Sequence, residues 1–314
     1  MRCQDWNRWK CRTKIILVKP SVHRYITYGS LLFLLLALVQ LDYLVLPRVY
    51  SWPSLSVSLL LLFVGFLVDA LSWQVMLRRH GVPVRLAHGV ASAGLSVFAK
   101  YIPGKVWVAF GRTAYVCAKT GAAISIVGTV AIKALVLIVS VGLIFGVWAL
   151  FVAGDGGAPA LFTAAGVVAV LVALFHPGLN GLLFRRLSKH DGQWPAHSLA
   201  PTFRDATVVV PLYAVVWICW MAGFVFLVGG VSQHSIPASA GLGFALAVTA
   251  GILAVIIPGG LGVREGVLAA FLMALGMPAV EAATISVTSR LWFLAGEGFA
   301  FAIGLIADAT VRGE

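Results

Sequence analysis

Ionisable side chains interrupt sequence that is otherwise apolar. Lys100, Lys105 and Arg112 fall in one such region, Arg264 and Glu265 in another, and Asp69, Lys133, Arg290 and Glu297 each break a long hydrophobic run. A charge held in hydrocarbon costs at least about 2.5 to 3.5 kcal/mol on insertion scales, so each of these needs a partner, a wet cavity or a purpose. The cations gather beside Pro103-Gly104 and Pro258-Gly259-Gly260. Backbone amides freed by Gly104, Gly259, Gly260 and Gly262, added to helix ends and several cations, make an anion site. Arg112 or Arg264 can grip a phosphate through two parallel hydrogen bonds, and the phosphate most accessible to a membrane cavity belongs to a lipid. The competing reading is mutual neutralisation, with Arg264 paired to Glu265 or Asp69. Arg290 would then pair with Glu297, seven residues on along the same helix face.

Other chemistries find no support in the sequence. Cys3, Cys11, Cys117 and Cys219 are scattered, with no CxxC pair and no histidine at ligand spacing, so no disulfide or metal site is expected. GGLGVREG resembles a nucleotide-binding loop but lacks the full glycine pattern and follows a membrane half-helix rather than a strand. HExxH, GxSxG and an acid-base pair at catalytic spacing are missing, so no enzyme and no cofactor is expected.

The elements that must hold these residues follow from composition. Hydrophobic residues make up 61% of the 314-residue chain and charged residues 11%, and the mean hydropathy is +0.98, so the bilayer is the solvent. The reading is an all-α polytopic membrane protein. Six apolar stretches have crossing length: 25–46, 55–77, 124–152, 158–175, 206–231 and 280–307. Two more, 84–117 and 238–275, are too long for one crossing and are cut by Pro-Gly, which predicts two re-entrant hairpins hinged at Pro103-Gly104 and Pro258-Gly259-Gly260.

The net charge of +12 is concentrated in residues 1–24, where seven of the Lys and Arg residues face Asp5 alone, and in the loops around Arg78, Arg79, Arg85 and Arg185, Arg186, Lys189. Placing those segments inside puts both termini in the cytoplasm. Nucleic acid is not an expected partner. The domain reading is a basic cytoplasmic segment 1–24, one transmembrane domain 25–308 with a cytoplasmic linker 177–205, and a cytoplasmic tail 309–314. Within it 55–152 and 206–307 repeat one pattern of proline, small-residue half-helix, Pro-Gly, cation, then a basic residue (Lys133 or Arg290) inside the next span. The sidedness makes the copies inverted, a transporter signature.

Lys100-Tyr101-Ile102-Pro103-Gly104-Lys105-Val106-Trp107 with Gly111-Arg112, followed by Pro258-Gly259-Gly260-Leu261-Gly262-Val263-Arg264-Glu265 and Ser289-Arg290-Leu291, resembles the membrane-domain family of lysylphosphatidylglycerol synthases over roughly residues 20 to 308. The resemblance implies a lipid-flipping membrane domain in the bacterial inner membrane. The soluble aminoacyl-transfer domain of the bifunctional members has no counterpart here, so the likeness is to stand-alone members, and synthase activity is not carried over. The expected function is translocation of an anionic, aminoacylated or polyprenyl-phosphate-linked lipid, with Lys100, Lys105, Arg112, Arg264, Glu265 and Arg290 at the head group and Asp69, Lys133 and Glu297 as charge partners or coupling groups. The alternative is a non-transporting membrane partner of a lipid-modifying or glycosyl-transferring enzyme.

Overall fold

The structure, a computed structural model, describes residues 48–102, 107–152, 203–234, 236–254 and 257–312, with residues 165, 166 and 169. The expected spans 25–46 and 158–175, the basic segment 1–24, nearly all of the linker 177–205, and Pro103, Gly104 and Lys105 lie outside, apart from the three residues just given. Among the described residues the elements are α1 (Trp52–Arg79), α2 (Leu86–Leu95), a 3-10 turn (Val97–Tyr101), α3 (Trp107–Thr120), α4 (Ile124–Val152), α5 (Phe203–Val231), α6 (Ala240–Leu253), a 3-10 turn (Pro258–Gly260), α7 (Val263–Ala274) and α8 (Ala279–Arg312). No strand occurs among them. Helix α8 runs through Arg312 and so absorbs most of the segment expected to be a tail from 309.

Four of these helices are long and apolar enough to cross a membrane: α1, α4, α5 from Thr207, and α8. With no water in hydrocarbon to satisfy backbone groups, a helix is the form that closes its own hydrogen bonds. Local sequence sets the ends. Ser51 caps α1, its hydroxyl accepting from the Ser54 amide at 3.4 Å, with Pro53 in the first turn where no amide partner is needed. The Glu265 carboxylate caps α7 by accepting from the Gly262 amide at 2.7 Å, and Gly262 supplies the positive φ of 80° that turns the chain into that helix.

The two short-helix pairs fold back on themselves. Gly251 lies against Arg264 and Gly243 against Phe271, so α6 and α7 run antiparallel. In the other pair Gly111 of α3 faces Ser96, just past the end of α2, and Tyr115 clusters with Ala91 and Leu95. Both pairs are helical hairpins with a 3-10 turn at the bend.

Packing partners exchange between the halves of the chain. Helix α4 packs on α6 while α8 packs on α2, α1 on α2 while α5 on α6, and α3 on α4 while α7 on α8. The elements that would correspond to each other, α1 with α5 and one 3-10 turn with the other, touch directly. Helices α1 and α5 are antiparallel: the Tyr50 amide donates to the Gly230 carbonyl at 2.8 Å, the Ser58 hydroxyl to the Gly223 carbonyl at 2.7 Å, and the Tyr213 hydroxyl meets the Met76 sulfur at 3.6 Å. Small residues permit the close crossings. A Cβ on Gly304 of α8 would stand 2.9 Å from the Gly94 Cα of α2, and one on Gly146 of α4 would stand 3.1 Å from the Leu246 Cα of α6.

Candidate functional site

The two turns meet at Tyr101 and Gly259. A Cβ added to Gly259 would lie 2.6 Å from the Tyr101 ring, and φ there is +59°, so only glycine lets the turns approach this closely. Arg290, from the middle of α8, donates to the Gly259 carbonyl at 2.9 Å and its guanidinium lies 5.3 Å from the Tyr101 ring centre. The long helix following the second hairpin thereby fixes that hairpin's bend.

A cavity of about 190 Å³ opens beside this junction, lined by residues of both hairpins and of α1, α4, α5 and α8. Its walls are mainly apolar, and its charged lining consists of Lys100, Arg112, Arg264 and Arg290 against Asp69 and Glu297. Four cations less two carboxylates leave a surplus of two positive charges on the lining, or one when neighbouring Glu265 is counted. Leu67, on the exposed face of α1, is also part of the lining, which extends the cavity toward the outer surface of the bundle.

Neutralisation inside the cavity is uneven. Lys100 reaches Glu297 at 2.5 Å, and the Tyr101 hydroxyl donates to the other oxygen of the same carboxylate at 2.8 Å. Arg112 donates to Asp69 at 3.0 Å and stacks over Trp73, 5.5 Å from its ring centre. Arg264 is different. It is 4% exposed, its guanidinium lies 4.6 Å from the Phe293 ring centre and 5.0 Å from that of Phe244, and its Nε and Nη2 have no acceptor. Aromatic faces attract a cation but accept no conventional hydrogen bonds, so this guanidinium keeps unspent donors in a low-dielectric site.

These contacts revise the expected pairings. Glu297 takes Lys100 and Tyr101 in place of Arg290, and Arg290 comes only to 4.0 Å of Glu265. Asp69 pairs with Arg112 instead of Arg264, so Arg112 is an ion-paired residue and not an open cation. The reason is distance between helices: α8 points Glu297 at the first turn, and α1 points Asp69 at α3. Glu265 caps α7 through Oε2, while its buried Oε1 has no hydrogen-bond partner and lies 4.0 Å from Arg290. Gly260 packs on Gly251, closing the second hairpin. Lys133 is buried in α4 but does not line the cavity. The structure thus gathers Lys100, Arg112, Gly259, Arg264, Arg290, Asp69 and Glu297 in one place.

Sequence reasoning missed Tyr101, Phe244 and Phe293. Tyr101 carried a signal, because a phenol at the tip of an apolar hairpin needs a polar partner. The two phenylalanines carried none, since an aromatic in a membrane helix is ordinary. A second ionic cluster ties α3 to the end of α8: Asp308 accepts from Tyr115 at 2.7 Å and pairs with Arg312 at 2.5 Å and Lys119 at 3.9 Å.

Among the described residues no group of His, Cys, Asp or Glu stands where it would hold a metal ion. No curated protein and no solved structure matches the chain. The family model described as the lysylphosphatidylglycerol synthase TM region matches residues 22–295, which is most of the chain, and the protein belongs to that family of membrane domains linked to lipid modification or transport.

Proposed function

We propose that this protein moves an anionic or phosphate-bearing lipid between the leaflets of a bacterial inner membrane, with the head group passing through the cavity where the two hairpins meet. The observation that carries this reading is Arg264, a buried guanidinium whose Nε and Nη2 lack acceptors in a cavity of net positive charge. Crossing hydrocarbon strips a phosphate of water, and a protein lowers that barrier by supplying fixed cations and donors in its place. The apolar remainder of the wall suits acyl or prenyl chains.

Two further features support transport. The antiparallel contact of α1 with α5 and the exchange of partners between halves suit inverted repeats rocking about a central site, with α2-α3 and α6-α7 as re-entrant hairpins entering from opposite faces. Arg78, Arg79, Arg85, Lys119 and Arg312 belong to segments that meet at one end of the bundle, through the Arg78 bond to the Val84 carbonyl and the Asp308 cluster. By the positive-inside rule that end is cytoplasmic and the C-terminus lies there.

The test is leaflet exchange in proteoliposomes carrying a head-group-labelled acidic phospholipid. Wild-type protein is expected to accelerate exchange over empty vesicles, and Arg264→Ala to slow it. Exchange no faster than in empty vesicles, across several lipids, would reject transport in favour of a supporting role beside a lipid-modifying enzyme.

A further inference from the structure

Helix α8 carries an acid near each end, and the two acids are held by different chemistry. At the end read as cytoplasmic, Asp308 binds Tyr115, Lys119 and Arg312, residue types that ordinarily keep one charge state from pH 5 to 8. At the opposite end Glu281, in the first turn of α8, meets His234 Nδ1 at 2.6 Å and accepts from the Ser232 hydroxyl through its other oxygen. That hydroxyl in turn accepts from the His234 amide at 2.9 Å. Ser232 and His234 lie between α5 and α6, whereas Glu281 follows α7. Because α6 and α7 run antiparallel, both ends of the second hairpin open here. The contact ties the segment that enters the hairpin to the segment that leaves it.

Within this cluster the bond from His234 to Glu281 is the one whose strength changes with pH. An imidazolium gives the carboxylate a charge-assisted bond, a neutral imidazole leaves an ordinary one, and histidine commonly passes between them at about pH 6.5. The His234 side chain is 59% exposed and that of Glu281 25%, so protons reach the pair from the solution at this end. Among the described residues, the last turns of α4 and α5, helix α6, the turn from α7 to α8 and the first turns of α1 bring no other ionisable side chain. Arg48, stacked on Tyr50 at 5.7 Å, pairs with neither member. We propose that Ser232, His234 and Glu281 form a pH-sensitive clamp at the base of the second hairpin, closed in acid and loosened as the imidazole loses its proton. Arg290 holds the bend of the same hairpin through Gly259, so a closed clamp lets α8 fix the hairpin at both ends, and an open one frees its base. The clamp is independent of what the cavity binds. It rests on the functional reading only for sidedness, which places it outside and makes external pH the signal.

The experiment is hydrogen exchange of the full chain in nanodiscs at about pH 5.5 and about pH 8, either side of the ordinary histidine range, corrected for the intrinsic pH dependence of amide exchange. Protection of residues 232–240 and of the first turn of α8 is expected to fall by about threefold to tenfold at the higher pH, the gap between a charge-assisted and an ordinary hydrogen bond. The Asp308 end should hold its protection. His234→Gln, which keeps a donor but cannot ionise, is expected to show the loosened level at both pH values, and His234→Arg the protected level at both. No pH response in the wild type, or a response that persists in His234→Gln, would overturn the clamp. So would an equal loss of protection around Asp308, which would mean general softening. Gln233→Cys in intact cells, treated with an impermeant thiol reagent, reads the sidedness separately. Labelling is expected there, and protection until lysis would overturn external sensing while leaving the clamp in place.

Discussion

In the first hairpin Arg112 stands 3.0 Å from Asp69 and Lys100 stands 2.5 Å from Glu297, whereas in the second Arg264 rests on Phe244 and Phe293 with two donors unmatched. The hairpins share a plan, a short helix, a 3-10 turn and a second short helix leading to a long one, yet their cations meet opposite fates. The difference teaches that a repeated scaffold need not repeat its electrostatics. The cations of the first hairpin are held by carboxylates, Asp69 from α1 and Glu297 from α8. The second hairpin leaves a guanidinium buried among aromatics, at a desolvation cost.

Four changes would break or sharpen that contrast. The largest effect should come from the ion pair that holds the first hairpin's Lys100. Glu297→Gln orphans the Lys100 ammonium against Phe293 and Tyr101, and loss of one partner of a buried pair costs roughly 3 to 5 kcal/mol. A marked fall in thermal midpoint is expected, recovered in part by adding Lys100→Met; an unchanged midpoint would mean that the pair is not structural.

In the second half the opposite balance is expected. Arg264→Met removes a charge that has no carboxylate partner, so thermal stability should hold, while lipid exchange falls by about tenfold to hundredfold as a contact of about 1.5 to 3 kcal/mol is lost. If stability fell and exchange did not, Arg264 would be a packing residue and the two hairpins would differ only in detail.

The junction between the halves is tested by Gly259→Ala. The new methyl meets the Tyr101 ring at 2.6 Å in a backbone conformation that L side chains rarely adopt, at a cost of about 1 to 3 kcal/mol. Loss of exchange with retained expression is the expected result, and full activity would show that the turns need not touch.

The smallest effect sharpens the contrast by making the first hairpin resemble the second. Asp69→Asn releases Arg112 to act as a second open cation, and affinity for an acidic head group should rise by about threefold to tenfold, the equivalent of ~1 kcal/mol. A titration in lipid nanodiscs reads it directly. A drop in affinity would instead assign Asp69 to the ligand.

That each of the two long apolar stretches divides into short helices was legible, because Pro-Gly interrupts a helix. The four described crossing helices agree with the sequence spans to within a few residues at most ends, since hydrocarbon thickness fixes their length. Which cation would stay unpaired was not legible. Arg112 and Arg264 each follow a Pro-Gly break, and the acid next in sequence to Arg264, Glu265, caps α7 instead of holding that guanidinium. Seven-residue spacing favoured Arg290 with Glu297, but a partner 196 positions away took that carboxylate.

What the residues alone determined was therefore everything that depends on one helix at a time: that the chain lives in lipid, where its helices break, and that cations cluster near the breaks. The tertiary structure decided which charges cancel. A helix period specifies the face on which a side chain lies, but ion pairing falls off over a few ångströms and depends on how neighbouring helices are set against each other. Asp69 and Glu297 reached their partners through the crossings of α1 with α3 and α8 with the first turn. Arg264 remained over by the same geometry, because the side chains that packing placed around it were phenylalanines.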